Sequence, residues 1–318
     1  MSRVFHFWLP PDNHRVRTGA DQREVVLPAI PLPLLEPVAG IPSDQAIGEG
    51  LYACLRQNPD GDHAAAYARL LADAYPHYLA DLAAQAVMIG GKEVDAPYLR
   101  RMINCLKILA LIEPERADLQ AQIGRGWFRL AFEFQELPSS RRHLLAALGA
   151  LNRARSLGDR SASTLDSLAR VNFLIGDYLV ARQCWQELLA ADGDESLAVR
   201  IRGQIERIDS WEVPDYPLMD DLEAMGQALE LHGQKDFTAA LQRLGEVEKR
   251  GGLLADFALP QFFHLAGLCH EGLGEDPRAE ERYRQALEVD ADFAPARERL
   301  AALERKRRRG AIDKGTSD

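Results

Sequence analysis

From Ser43 to Arg309 the apolar positions recur at helical spacing, in segments separated by Gly, Pro and Asp. Ser43 or Asp44 is placed to cap a helix running to about Arg56, and Asn58-Pro59-Asp60-Gly61 then turns the chain. Asp62 to Ala74 forms the next segment. Pro76 sits in the first turn of another, which ends at Gly90-Gly91, and Asp95 caps a helix that stops at Glu113-Pro114. A helix from Ala117 to about Gln135 and its partner, opened by Pro138-Ser139-Ser140 and closed in SLGDRS, continue the series. The first 42 residues differ. They hold seven of the 17 prolines, and VVLPAIPLPLLEPVAGIP has neither helical period nor the low hydrophobicity of a free tail. The pattern predicts an extended segment docked on something, preceded by a short strand in SRVFHFWL that has no sheet partner in view.

The helices pair, and one pair fixes the register. In FFHLAGLCHEGLGEDPRAEERYRQALEVDADFA, Phe262 to Ala294, small residues stand where two helices would cross: Gly267 on the first, Ala279 and Ala286 on the second, with Tyr283 filling the space and Gly274 at the turn. This stretch resembles a tetratricopeptide unit. Leu165, Leu168 and Ala169, followed by Gly176-Asp177-Tyr178 and by Ala181, Trp185 and Leu188, match the same scheme, as do Ile123, Gly124 and Trp127 with Ala147, Leu151 and Ala154. The resemblance implies an all-α, right-handed α-α superhelix of about five to six helix pairs. Such pairs bury a continuous core only by stacking, and they leave an extended surface for a partner. The expected organisation is an extended proline-rich segment over 1–42, degenerate repeats over 43–116, and clearer repeats over 117–209. A proline-containing linker follows over 210–220, then repeats and a capping helix over 221–309 and a disordered tail over 310–318. The linker, WEVPDYPLMD, reads as a hinge or as a loop covering an exposed helix end, and the second is favoured because Trp211, Tyr216 and Leu218 have apolar surface to bury.

Composition narrows the function classes. The net charge of -10 opposes a general nucleic-acid binder, whose basic excess would be concentrated on one face. Four cations from Lys306 to Arg309 suit the negative end of a helix dipole. Cys54, Cys105, Cys184 and Cys269 are far apart and form no Cys-x-x-Cys pair, so they read as reduced core thiols in a reducing compartment, and the expected location is cytoplasmic. The N-terminus lacks a secretory leader pattern, and prolines interrupt the apolar run from Val25 to Ile41, so no membrane association is expected.

No phosphate loop, nucleophile elbow or paired-histidine zinc motif occurs, which predicts no catalytic residues, no metal and no cofactor. A protein or peptide partner is expected instead. In the tetratricopeptide family the inner surface comes from fixed first-helix positions. Carried onto this chain they give Arg125 and Phe128; Asp166, Arg170 and Phe173; and Arg200, Gln204 and Arg207. The later units add Met225, Leu229 and His264. Arginines beside phenylalanines fit an acidic segment or a C-terminal carboxylate, since a guanidinium fork binds carboxylates in pairs and an aromatic face anchors a side chain. The Lys and Asn of the family's chaperone-binding carboxylate clamp are absent from the matching positions. The reading is a non-catalytic adaptor or chaperone; the alternatives are an assembly subunit of a complex or homo-oligomer and, third, a helical-repeat enzyme or cofactor carrier. Val25 to Pro42 spans about 50 Å when extended, enough to lie in the groove as a built-in competitor.

Overall fold

The structure, a computed structural model, describes residues 3–18, 23–92, 94–191 and 195–315, with side chains to residue 308. Four short strands come first: β1 (His6–Trp8), β2 (Arg15–Thr18), β3 (Arg23–Val26) and β4 (Leu32–Leu34). The helices then follow in series. The first five are α1 (Asp44–Gln57), α2 (Ala64–Ala74), α3 (Pro76–Gly90), α4 (Ala96–Ile112) and α5 (Ala117–Leu130). A 3-10 turn (Phe134–Ser139) leads to α6 (Ser140–Ser156), α7 (Ala162–Ile175), α8 (Tyr178–Ala191) and α9 (Glu195–Asp209). The last six are α10 (Met219–Gly233), α11 (Phe237–Arg250), α12 (Gly252–Asp256), α13 (Pro260–Gly272), α14 (Asp276–Val289) and α15 (Ala294–Gly315). The chain is all-α in its body. It divides into two compact units that interleave in sequence: Met1–Leu130 with Leu144–Ala169 and Cys184–Gly193, and Ala131–His143 with Arg170–Gln183 and Asp194–Asp318.

In the first unit the N-terminal segment has the partners its sequence left open. β1 pairs antiparallel with β4, His6 opposite Leu34, and β2 pairs with β3. Leu27, Leu32 and Leu34 are buried, and the Tyr67 hydroxyl donates to the Pro31 carbonyl. The segment lies on α1 and α2 of its own chain, so the idea of a built-in competitor in the groove gives way to a structural role. Gly50 explains why it fits. A Cβ there would fall within bonding reach of the Pro33 carbonyl oxygen, so only glycine lets β4 approach α1 so closely. Ser43 caps α1 by accepting from the Ala46 amide at 3.2 Å.

In the second unit the tetratricopeptide-like packing is explicit. Tyr283, Ala279 and Ala286 are fully buried, and a Cβ on Gly267 would meet the Tyr283 ring at 2.6 Å from Cδ1. The ring occupies the volume that the missing side chain leaves. Gly124 and Leu151 repeat the arrangement in the first unit, where an added Cβ would lie 2.9 Å from Leu151 Cδ2.

Three elements differ from expectation. The helix from Ala117 ends at Leu130, because the chain turns into a 3-10 helix whose closing Ser140 hydroxyl donates to the Ala131 and Leu137 carbonyls. The connection after Arg250 contains α12, and the terminal helix continues to Gly315, leaving 316–318 outside the described residues. Residues 210–220 are docked within the second unit. Leu218 is fully buried, Tyr178 donates its hydroxyl to the Pro214 carbonyl at 2.9 Å, and Tyr216 donates to Asp221 at 2.9 Å. Asp221 is itself inaccessible and pairs with Arg250 at 2.6 Å; burial raises its carboxyl above the usual range, with the Tyr216 and Arg250 contacts opposing. Trp211 is the exception. It is 78% exposed and holds a left-handed φ of 57° at the end of α9.

Two glycine substitutions test the crossing argument. Gly267→Ala should lower stability by about 1–3 kcal/mol through overpacking, and Tyr283→Leu should recover part of that loss in a double-mutant cycle read by urea denaturation. Gly203→Ala, on an exposed face of α9 with nothing within 4 Å of the new Cβ, should instead stabilise by about 0.5–1 kcal/mol.

Candidate functional site

The residues expected to line one groove fall into different environments. Phe128, Phe173 and His264 are buried at 8%, 2% and 6% exposure, and Met225 is wholly inaccessible, so these four serve the core instead of an open lining. Leu229 is half-buried. Asp166 is also half-buried and accepts from the Trp185 indole at 3.3 Å, which fixes α8 to α7 within the first unit. Arg125 bridges helices in the same unit, donating to Ser163 at 3.3 Å and Thr164 at 3.4 Å; burial lowers its pKa below the ordinary arginine value, with Asp159 opposing. Its Nη1 is occupied by these structural bonds.

Arg170, Arg200, Gln204 and Arg207 belong to the second unit. There α7 and α9 present a basic, aromatic-backed face. The Arg170 guanidinium lies 5.7 Å from the Phe257 ring centroid and the Arg207 guanidinium 5.9 Å from Phe173, both within cation-π reach. Phe173 is in turn held edge-on by Tyr178 at 5.1 Å. Arg207 is positioned further: both nitrogens of its fork reach Asp256, and Gln204 accepts from it at 3.2 Å. The bond to Asp256 raises the Arg207 pKa, against the effect of burial. Asp256 and Phe257 come from α12 and the residue after it, in a stretch whose Gly-Gly and Pro flanks read as loop. A short helix of five residues has too few periodic positions to show in sequence. Arg200, two turns earlier on α9, is exposed and makes no ion pair among the described residues. The exposed Trp211 closes the same helix.

His264 sits among aromatic rings. Phe134, Tyr283 and Phe293 each have centroids 5.6 Å from its imidazole, and its Nδ1 is buried with no hydrogen-bond partner. Burial, with Arg299 and His232 adding repulsion, lowers its pKa to about 4. An uncharged imidazole in an apolar box is a packing element. Among the described residues no group of three or more His, Cys, Asp or Glu is placed to hold a metal ion, and no helix is long and apolar enough to cross a membrane.

No family model matches the chain, and no curated protein matches it. Among solved structures it is similar to the one described as "Crystal Structure of P58(IPK) TPR Domain at 2.5 A", at 13% identity, covering 84% of this chain and 75% of that chain with a TM-score of 0.34. The assignment to tetratricopeptide-like helix pairs rests on the crossings at Gly267 and Gly124. Fold and site together define a helical-repeat protein whose second unit carries a basic face on α7 and α9.

His264 yields a pH prediction. Its folded-state pKa lies below the unfolded value near 6.5, so neutral imidazole favours folding: the contribution is complete above about pH 6.5 and is lost as pH falls from there through about 4. The full effect is about 3 kcal/mol. Denaturation midpoints measured from pH 7 to 5 should fall for the native chain and fall less for His264→Leu.

Proposed function

We propose that the chain is a non-catalytic protein-binding adaptor that holds a segment of a protein partner against its paired helices. The observation that supports this reading is the α7–α9 face, where Arg170 is backed by Phe257 and Arg200 is exposed in a chain of net charge -10, while Arg207 is held by Asp256 behind them. A guanidinium fixed over a ring loses little freedom on binding, and its planar edge matches a carboxylate. The partner segment is therefore acidic or ends in a C-terminal carboxylate. Trp211, exposed and left-handed in backbone, offers an aromatic anchor at the end of α9, since such residues dominate interface energetics.

The four free cysteines, each partly or fully buried, suit work in the reducing cytoplasm. The N-terminal segment folds back on α1 and α2, which favours an adaptor over an assembly subunit whose extended arm would be built into another chain. Proteins retained by the intact chain from a native lysate, identified by mass spectrometry and then titrated in purified form, test the reading. Arg170→Glu/Arg200→Glu should weaken the purified partner's binding at least tenfold with helicity unchanged. Trp211→Ala should weaken it by several-fold. Equal affinities for the native chain and the double variant would remove the α7–α9 face from the site.

A further inference from the structure

The β2–β3 sheet of the first unit has one covered edge and one open edge. Leu27 donates its main-chain N–H to the His14 carbonyl at 2.8 Å, and the register places Val25 opposite Val16 and Arg23 opposite Thr18. Bonded pairs alternate with non-bonded ones in an antiparallel ladder, so Glu24 and Val26 turn their N–H and C=O groups away from β2. Arg17, opposite Glu24, shows the same alternation on β2: its main-chain nitrogen points outward and donates to the Asp44 carboxylate at 2.8 Å, at the start of α1. No such bond closes the other side. The described residues offer no hydrogen-bond partner to the main chain of Glu24 or Val26, and both residues are exposed.

A groove lies beside the open edge. It has a volume of about 550 Å³, with Val26 and Leu27 on one wall, Ala66, Arg69 and Leu70 of α2 on the other, and Leu111 of α4 also lining it. The two walls match in length. The four residues of β3 run about 14 Å, and Ala65 to Asp73 on α2 runs about 12 Å. Edge strands are commonly protected by a charge laid across the edge or by proline. Here Glu24 is turned toward its own sheet, where Arg15 and Arg17 donate to its carboxylate at 2.9 and 3.0 Å. Pro28 comes only after the open groups and ends the edge, because it has no N–H. Val26, 52% exposed, leaves an apolar side chain at the lip of the groove.

The geometry points to strand addition at β3: an extended segment of a partner protein, apolar at alternate positions and without net charge, pairs its main chain with Glu24 and Val26 and sets every second side chain against α2. The main-chain groups decide for an extended ligand, since donors and acceptors repeating at every second residue are matched by another strand and by no compact molecule. The rim decides for a neutral one, because Arg69 and Asp73 place one charge of each sign on α2. A second copy of the chain is opposed by the net charge of -10 on each. The site is on β3 and α2, apart from the α7–α9 face, and stands whether or not that face binds a partner.

Fluorescence anisotropy on the full chain, with a fluorescein-labelled seven-residue peptide of alternating Val and Thr, tests this. Two N-methylated forms, one methylated at the Val nitrogens and the other at the Thr nitrogens, should differ at least tenfold in affinity, since only one set of N–H groups faces β3. Affinity of the unmethylated peptide should change less than twofold between low salt and about 0.3 M NaCl, because no net charge is recognised. Val26→Pro removes one open donor where an edge strand tolerates proline, and it should weaken binding at least tenfold with near-UV circular dichroism unchanged. Ala65→Trp, on the exposed flank of α2, should block the groove independently and give a several-fold loss. Arg170→Glu/Arg200→Glu should leave affinity within twofold, which separates this site from the α7–α9 face. No saturable binding of the unmethylated peptide, equal affinities of the two methylated forms, or native affinity in both a folded Val26→Pro chain and a folded Ala65→Trp chain would overturn the assignment. So would a native chain that sediments as a dimer beside a Val26→Pro chain that sediments as a monomer, since the edge would then belong to a second copy.

Discussion

Everything in the array follows from how closely two helices can approach at a crossing. Helix axes come within 8–10 Å when ridges fit grooves, and a bulky side chain then needs a void opposite it. At Gly267 the void is the absent side chain, and the Tyr283 ring occupies it; at Gly124 Leu151 does the same. The N-terminal segment obeys the constraint with different partners, since Gly50 admits the backbone of Pro33 where another helix would otherwise stand. These contacts are steric and leave no slack, because interiors pack at near-crystalline density. They set which helix faces turn inward, and hence which arginines are left at the surface.

Arginine does two kinds of work here. Arg125 and Arg250 are spent internally, the first on Ser163 and Thr164 and the second on the inaccessible carboxylate of Asp221. Removing a partner from a buried pair of the second kind leaves an uncompensated charge, so Asp221 and Arg250 bind the 210–220 segment to the second unit as a structural clamp. Arg207 is spent the same way on Asp256, whereas Arg56 and Arg170 lie over aromatic rings that hold them in place. Surface ion pairs contribute little by themselves. A guanidinium fixed on a ring is a different object, since its orientation is settled before a ligand arrives.

The amino-acid sequence by itself determined the helix pairs, because the positions of Gly267, Ala279, Tyr283 and Ala286 encode a crossing within one local segment, and local spacing survives without knowledge of the rest. It also pointed to an extended, docked course for the described residues before Ser43, since prolines exclude helix and apolar residues exclude a free tail. Periodicity names the inward stripe of a helix but not its edges. Phe128, Phe173, Met225 and His264 sit at first-helix positions that the tetratricopeptide family uses for its inner surface, and here each is covered by neighbouring elements. Only the tertiary structure decided that, because burial depends on residues distant in sequence: His264 is enclosed by Phe134 and Phe293. It also decided the partner of the N-terminal strand, the role of Asp256 and Phe257, and the open edge of β3 beside α2. Val26 and Leu70 stand in different segments, and no local pattern links groups that only long-range packing brings to one groove.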